Sequence, residues 1–230
     1  VREDDSLIKQ QIEYYQARAS EYDEWFLRMG RYDRGVEHRQ HWFGEVEVVR
    51  AALVAAKPAG DILELACGTG LWTEYLMPYA DKLVAVDSSE EALKLNRERV
   101  KNNRVSYIQA DLFSWKPSAR FDFIFFAFWL SHIPRSRLEE FWATVKTALK
   151  PNGRVFFVDS LLTQDSTAKN HAAIDTSGRV TRKLNDGREY EIVKVFHDPA
   201  ELEQNLIEQG WQGYVRATGR YFLYGSMSRR

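Results

Sequence analysis

Apolar residues along this chain follow two rhythms, and their alternation is the first structural information it carries. Five short runs are nearly continuous, rich in β-branched or aromatic residues and flanked by turn formers: 61–66 (DILELA), 82–87 (KLVAVD), 104–110 (RVSYIQA), 121–128 (FDFIFFAF) and 154–160 (RVFFVDS). Runs of that length and composition predict strands buried on both faces. Helical patterns lie between them. In the clearest, Leu138, Phe141, Trp142, Val145 and Leu149 share one stripe that stops before Pro151, Asn152 and Gly153. Strands alternating with helices imply right-handed crossovers and a doubly wound, mostly parallel α/β sheet.

Both ends break the rhythm. Residues 4–57 predict two or more helices, one of them carrying YYQARASEYDEWF (14–26), dense in aromatic and charged side chains. Tyr14, Arg18 and Tyr22 recur at a spacing of four and share a helix face. Arg18 either turns into a site or pairs locally with Glu21 on a solvated surface. After the fifth run comes a polar stretch, 163–179, and then 180–196, where Asn185, Asp186 and Gly187 suit a hairpin turn. A helix over 198–209, with Leu202 and Leu206 inward, and a final strand over 213–226 complete the expectation.

Composition narrows the classes. A chain of 230 residues with 44% hydrophobic side chains can bury a full core as one domain, or as one domain with an appendage. Lys and Arg number 32 against 33 for Asp and Glu, so no bulk positive charge favours nucleic acid as a partner. The longest apolar run, 123–130, is too short to span a bilayer, and the opening VREDDSLIKQ does not read as a signal peptide. A cytoplasmic protein with no membrane partner is expected. Cys67, the one cysteine, makes no internal disulfide, has no Cys or His at metal-ligand spacing, and reads as a small buried residue, with no metal expected.

Candidate chemistry centres on the first strand. LELACGTGLW (63–72) runs from an apolar strand into a glycine turn and then a helix, the way open α/β sheets bring a cofactor against the backbone. A dinucleotide fingerprint requires a third glycine, where this chain has Thr73. Asp87 closes the second run, 17 residues after Gly70, where a carboxylate takes both hydroxyls of a ribose. A ribose without a pyrophosphate is the better fit. Glu64, Asp87 and Asp111 could alternatively be helix caps or turn formers.

From about residue 60 to 160 the chain resembles the class I S-adenosylmethionine-dependent methyltransferases. LELACGTG is similar to their first motif, with Glu64 as the acid, Gly68 and Gly70 as glycines, and Ala66 in place of the usual first glycine. VDSS (86–89) resembles the ribose-binding acidic loop, and ADLFSW (110–115) the segment whose Asp, here Asp111, caps the adenine amino group. Residues 131–157, ending in LKPNGRVFF, resemble the family's last helix and turn before strand five. The resemblance implies a seven-stranded Rossmann-like sheet and S-adenosyl-L-methionine as cofactor, held by Tyr14, Arg18, Tyr22, Glu64, Gly68, Gly70, Asp87, Ser88, Asp111, Leu112 and Phe128. It also implies an N-terminal helix laid over the cofactor, with Arg18 reaching its methionine carboxylate.

The acceptor is less legible. The loop after strand four reads FAFWLSHIP (126–134) rather than the Asn/Asp-Pro-Pro-aromatic signature of amide and exocyclic-amine methylation. His132 is the candidate catalytic base, titrating near neutrality, with a structural role as its alternative. Trp25 and Trp129 are the candidate acceptor-binding aromatics. The sequence therefore reads as one methyltransferase domain: a helical cap and lead-in helix over 1–57, a cofactor core over 58–160, and a lid hairpin with C-terminal strands over 161–230. The expected reaction is methyl transfer to an oxygen, hydroxyl or carboxylate, of a small molecule. A non-enzymatic binder of the same cofactor and a nicotinamide-dependent oxidoreductase stay open as alternatives.

Overall fold

The computed structural model describes residues 4–171 and 176–230, so part of the polar stretch after strand five lies outside the described residues. Helices α1 (Asp5–Arg18), α2 (Tyr22–Phe26) and α3 (Val36–Ala55) precede the first strand. The alternating core follows as β1 (Gly60–Leu65), α4 (Leu71–Leu76), β2 (Ala80–Asp87), α5 (Glu90–Val100), β3 (Val105–Gln109), β4 (Phe121–Ala127), α6 (Leu138–Ala148) and β5 (Leu149–Ser160). The expected hairpin is β6 (Arg179–Lys183) and β7 (Glu189–Val193), a separate two-stranded sheet. Next come α7 (Pro199–Glu208), begun by the Asp198 cap, β8 (Trp211–Ala217) and β9 (Phe222–Arg229).

Seven strands form one sheet in the order β3-β2-β1-β4-β5-β9-β8. The first five in that order run parallel, and β9 and β8 close the edge antiparallel. The single strand expected over 213–226 is thus two strands folded back on each other. The break falls at 218–221, where Gly219 adopts φ +149° and Glu45 of α3 accepts from the backbone N–H groups of Arg220 and Tyr221 at 2.9 and 2.8 Å. A lone glycine inside an aromatic run is a weak turn signal, and the anchor lies far away in sequence.

Strand alternation sorts the core into two faces. Phe123 and Phe125 join Trp42, Val46, Val49 and Leu53 of α3 and Trp72 of α4, whereas Ile124 and Phe126 join Phe141, Trp142 and Val145 of α6 and Leu202 and Leu206 of α7. Each such side chain contributes on the order of 1.5–3 kcal/mol by leaving water. Among the described residues no helix is long and apolar enough to cross a membrane.

Because β1 leads to β2 and β3 on one side and the chain then returns to β4 on the other, the carboxyl ends of β1 and β4 frame the crevice where such sheets take ligands. A roof covers it. Leu7 of α1 packs on Val193 and Val195, and Tyr14 on Val180, Leu184 and Ile192, so helix and hairpin form one small core above the sheet. Gln11, also fully buried, ties this roof down. Its amide Nε2 donates to the carbonyl of His132 at 3.0 Å, and its Oε1 accepts from the N–H of Val193 at 3.2 Å.

Candidate active site

Beyond β1 the backbone turns left-handed at Ala66 (φ +53°), Gly68 (φ +53°) and Gly70 (φ +92°). A side chain at Gly70 would place a Cβ 2.7 Å from Asn96 of α5, which itself donates to the carbonyl of Gly68 at 3.2 Å and to Thr73 Oγ1 at 2.8 Å. Thr73, buried in that network, fills the place where a dinucleotide site has its third glycine. An alanine in left-handed geometry is strained by about 1–2 kcal/mol. Ala66→Gly is therefore expected to raise unfolding stability by about 0.5–1 kcal/mol after the added chain entropy is counted, read in urea melts.

Asp87 ends β2 against this loop. Its Oδ2 accepts from Gly68 N and its Oδ1 from Ser89 N, both at 2.9 Å. Burial raises its carboxyl above the ordinary value while those N–H groups pull it back. A cavity opens over the carboxylate, floored by Gly68, Asp87, Ser88, Asp111, Leu112 and Trp129 and roofed by Gln11, Ile12, Tyr15 and Tyr22. Asp111 Oδ1 accepts from Phe113 N at 2.9 Å, so this residue is a turn former as well as a wall.

A second cavity continues beneath the hairpin, lined by Arg18, Trp25, Tyr32, Arg182 and Lys194. Tyr15, Tyr22, Phe128 and His132 belong to the walls of both, so they stand between the two spaces. Arg18, Arg182 and Lys194 are each less than a tenth exposed, and no Asp or Glu is among the described residues lining this second space. The Arg18 guanidinium lies over the rings of Tyr14, Tyr22 and Tyr32 at 5.5, 5.2 and 6.0 Å and reaches the Tyr32 hydroxyl at 3.3 Å. Lys194 Nζ donates to Ser131 Oγ at 2.8 Å and stands 4.0 Å from Asp159 behind the wall. Burial drives its ammonium down to about 8, with Asp159 pulling the other way.

His132 does not titrate near neutrality. Burial, reinforced by Lys194, holds its imidazole well below 6.5. Both ring nitrogens are engaged: Nδ1 at 2.8 Å from the carbonyl of Val193, and Nε2 at 2.7 Å from the hydroxyl of Tyr15.

Comparison with known proteins narrows what these two joined cavities serve. Residues 62–153 match the family model described as a methyltransferase domain. The match with curated relatives is partial: the chain spans 39 to 59% of their lengths, as with an uncharacterised methyltransferase of Schizosaccharomyces pombe, 29% identical over 114 residues, 45% of this chain and 39% of that protein. Solved structures match throughout. The DhpI complex with SAH is 38% identical, with 97% of each chain covered and a TM-score of 0.81, and the DhpI complex with SAM and HEP is 38% identical over 96% of this chain and 97% of that one, with a TM-score of 0.80. The chain belongs to the class I S-adenosylmethionine-dependent methyltransferases.

Within that methyltransferase frame the expected site residues divide. Tyr22, Gly68, Asp87, Ser88, Asp111, Leu112, Phe128 and His132 line the cavity over Asp87. Gly70 acts from behind it, as the close contact with Asn96. Glu64 opens on a small adjoining cavity shared with Tyr22, Gly68 and Phe128. Burial raises its carboxyl to about 8, with Thr73 opposing, and Oε2 has no hydrogen-bond partner among the described residues.

The remaining expected residues are distributed differently among these spaces. Tyr14 lines neither large cavity, being buried in the core between α1 and the hairpin. Arg18 opens into the second cavity instead of the one over Asp87, and Glu21 pairs with Arg31 at 3.3 Å rather than with Arg18. Trp129 faces the first cavity, its ring 5.3 Å from Phe113, while Trp25 faces the second. Phe128 carries a left-handed φ of +56°, which breaks the strand's alternation just before Trp129 turns to the first cavity.

Sequence reasoning missed Tyr15, Arg182 and Lys194. A usable signal existed for the two cations. Arg182 shares a strand face with Val180 and Leu184, and Lys194 with Ile192, so each occupies an inward position in an otherwise apolar register.

Proposed function

We propose that this protein transfers the methyl group of S-adenosyl-L-methionine to an anionic oxygen of a small molecule. The residues over Asp87 suit that cofactor. Each Asp87 oxygen accepts one backbone N–H and keeps a lone pair for a ribose hydroxyl. The unpartnered Oε2 of Glu64 suits an amino group. When bound, the cofactor supplies a methyl on a positively charged sulfur, its own leaving group. DhpI forms complexes with SAH and with SAM and HEP, which accords with this reading.

One observation carries the acceptor assignment: three buried cations, with no carboxylate lining the described wall, converge on a cavity that shares Tyr15, Tyr22, Phe128 and His132 with the one over Asp87. Burying three cations is costly, and an oxyanion in the cavity offsets the charge that Asp159, behind the wall at 4.0 Å from Lys194, leaves uncompensated. An acceptor that arrives as an anion needs no base, which agrees with a histidine kept neutral and doubly bonded. The protein's part would be to align the acceptor oxygen in line with the methyl group and its sulfur and to exclude water. A cytoplasmic location, where this cofactor is available, belongs to the same reading.

Turnover across a panel of carboxylates, sulfonates and phosphate monoesters, each beside a neutral alcohol of the same shape, tests the proposal. Methylation confined to the neutral members would sink it. The pH dependence adds a signed expectation. Lys194 is charged below about 8 and neutral above it, so kcat/KM for an anionic acceptor should fall as pH rises through about 8. In Lys194→Met that limb should vanish, leaving a lower, flat profile.

A further inference from the structure

Tyr15 stands at the junction of the two cavities, its hydroxyl against His132 Nε2. The other ring nitrogen decides which way that bond runs. Nδ1 faces the carbonyl oxygen of Val193, which only accepts, so Nδ1 carries the ring proton and Nε2 keeps a lone pair. The Tyr15 hydroxyl is therefore the donor. An imidazolium is opposed by burial and by Lys194, Arg182 and Arg18, so relaying an acceptor proton through Tyr15 onto His132 is unfavourable.

Resting on the anionic-acceptor reading, we infer that His132 is a positioning residue that holds the Tyr15 proton away from the acceptor. The attacking oxygen then meets the lone pairs of Tyr15 and not its O–H, while Arg18, Arg182 and Lys194 grip the oxygens that do not react. The reason lies in differential binding. A hydrogen bond donated to the attacking lone pair stabilises the bound anion and is lost as the oxygen–carbon bond forms, so it raises the barrier. Cations on the other oxygens carry no such penalty along the line of attack.

Two measurements test this. Nitrogen-15 NMR of the protein at pH 7 should report His132 as a neutral ring protonated at Nδ1; an Nε2–H tautomer or an imidazolium overturns the inference. Calorimetry then follows inorganic phosphate binding to the protein loaded with S-adenosylhomocysteine. His132→Asn keeps an amide for the Val193 carbonyl but cannot reach Tyr15, so the freed hydroxyl turns to the anion and phosphate should bind about five- to tenfold tighter than in the wild type. His132→Gln, whose amide oxygen can take the Tyr15 proton, should stay within about twofold of wild type, and so should Tyr15→Phe and the double variant Tyr15→Phe/His132→Asn. A folded His132→Asn with unchanged or weaker binding overturns the inference. Severalfold weaker binding in Tyr15→Phe alone does so as well, because Tyr15 would then be donating to the anion, and this arm needs no His132 variant to fold. Wild-type protein that fails to bind phosphate overturns the anionic reading and this inference together, whereas bound phosphate with the wrong order of variants overturns this inference alone.

Discussion

Arg18→Met should lower kcat/KM for an anionic acceptor by about a hundredfold or more, with S-adenosyl-L-methionine affinity nearly unchanged. Methionine keeps much of the aliphatic stem that packs among Tyr14, Tyr22 and Tyr32, so the loss isolates the charge. Removing one member of a desolvated charge pair costs on the order of 2–5 kcal/mol, and each 1.36 kcal/mol is tenfold in rate. Arg18→Lys should recover only part of it, because an ammonium cannot reproduce the planar stack or a two-pronged grip. Steady-state kinetics with the cofactor saturating measures the effect. An equal loss in cofactor affinity would return Arg18 to the role expected from sequence, a contact with the methionine carboxylate.

The second large effect is expected at Asp87. Two ribose hydrogen bonds to a carboxylate are worth about 1–3 kcal/mol, yet Asp87→Ala should exceed that, because the same carboxylate pins Gly68 N and Ser89 N and thereby shapes the glycine loop. A loss of about 3 kcal/mol in cofactor binding is the expectation, with Asp87→Asn intermediate, since its amide oxygen keeps one acceptor. Calorimetry reads the affinity. A folded Asp87→Ala that still binds the cofactor tightly would leave the carboxylate as a loop brace only.

The cofactor half of the site was legible because it lies where one strand meets one turn. Local pattern placed Gly68, Gly70 and Asp87, and register did the rest: Glu64 pairs with Ala85 and Leu65 with Val86, bringing the glycine loop level with the acid at the end of β2. The half proposed for the acceptor was not, because Arg18 of α1 stands more than a hundred positions before its two companions on the hairpin, Arg182 of β6 and Lys194 just after β7. Nothing local distinguishes an inward Arg182 from an outward Arg179 until the hairpin's apolar face is known to lie on α1. Trp129 lines the cavity over Asp87, just after Phe128, whose φ of +56° turns the chain beyond β4, a local inversion that no residue type there signals. The C-terminal hairpin was read as one strand because its turn is anchored by Glu45, a partner invisible to local pattern.

The amide of Gln11, with its two bonds, has a kinetic meaning. Lifting α1 off His132 and the hairpin, which widens the way out for methylated product and spent cofactor, breaks both bonds at once. Buried bonds of this kind are worth about 1 kcal/mol each, enough to slow opening about tenfold or more and make departure, not chemistry, the slow step. Wild-type enzyme mixed with saturating substrates should then show a pre-steady-state burst of one methyl transfer per site. In Gln11→Leu, which strands the His132 carbonyl and the Val193 N–H, the burst should disappear as release outpaces transfer. A vanished burst would show that occupancy time is governed by a single neutral side chain in the roof.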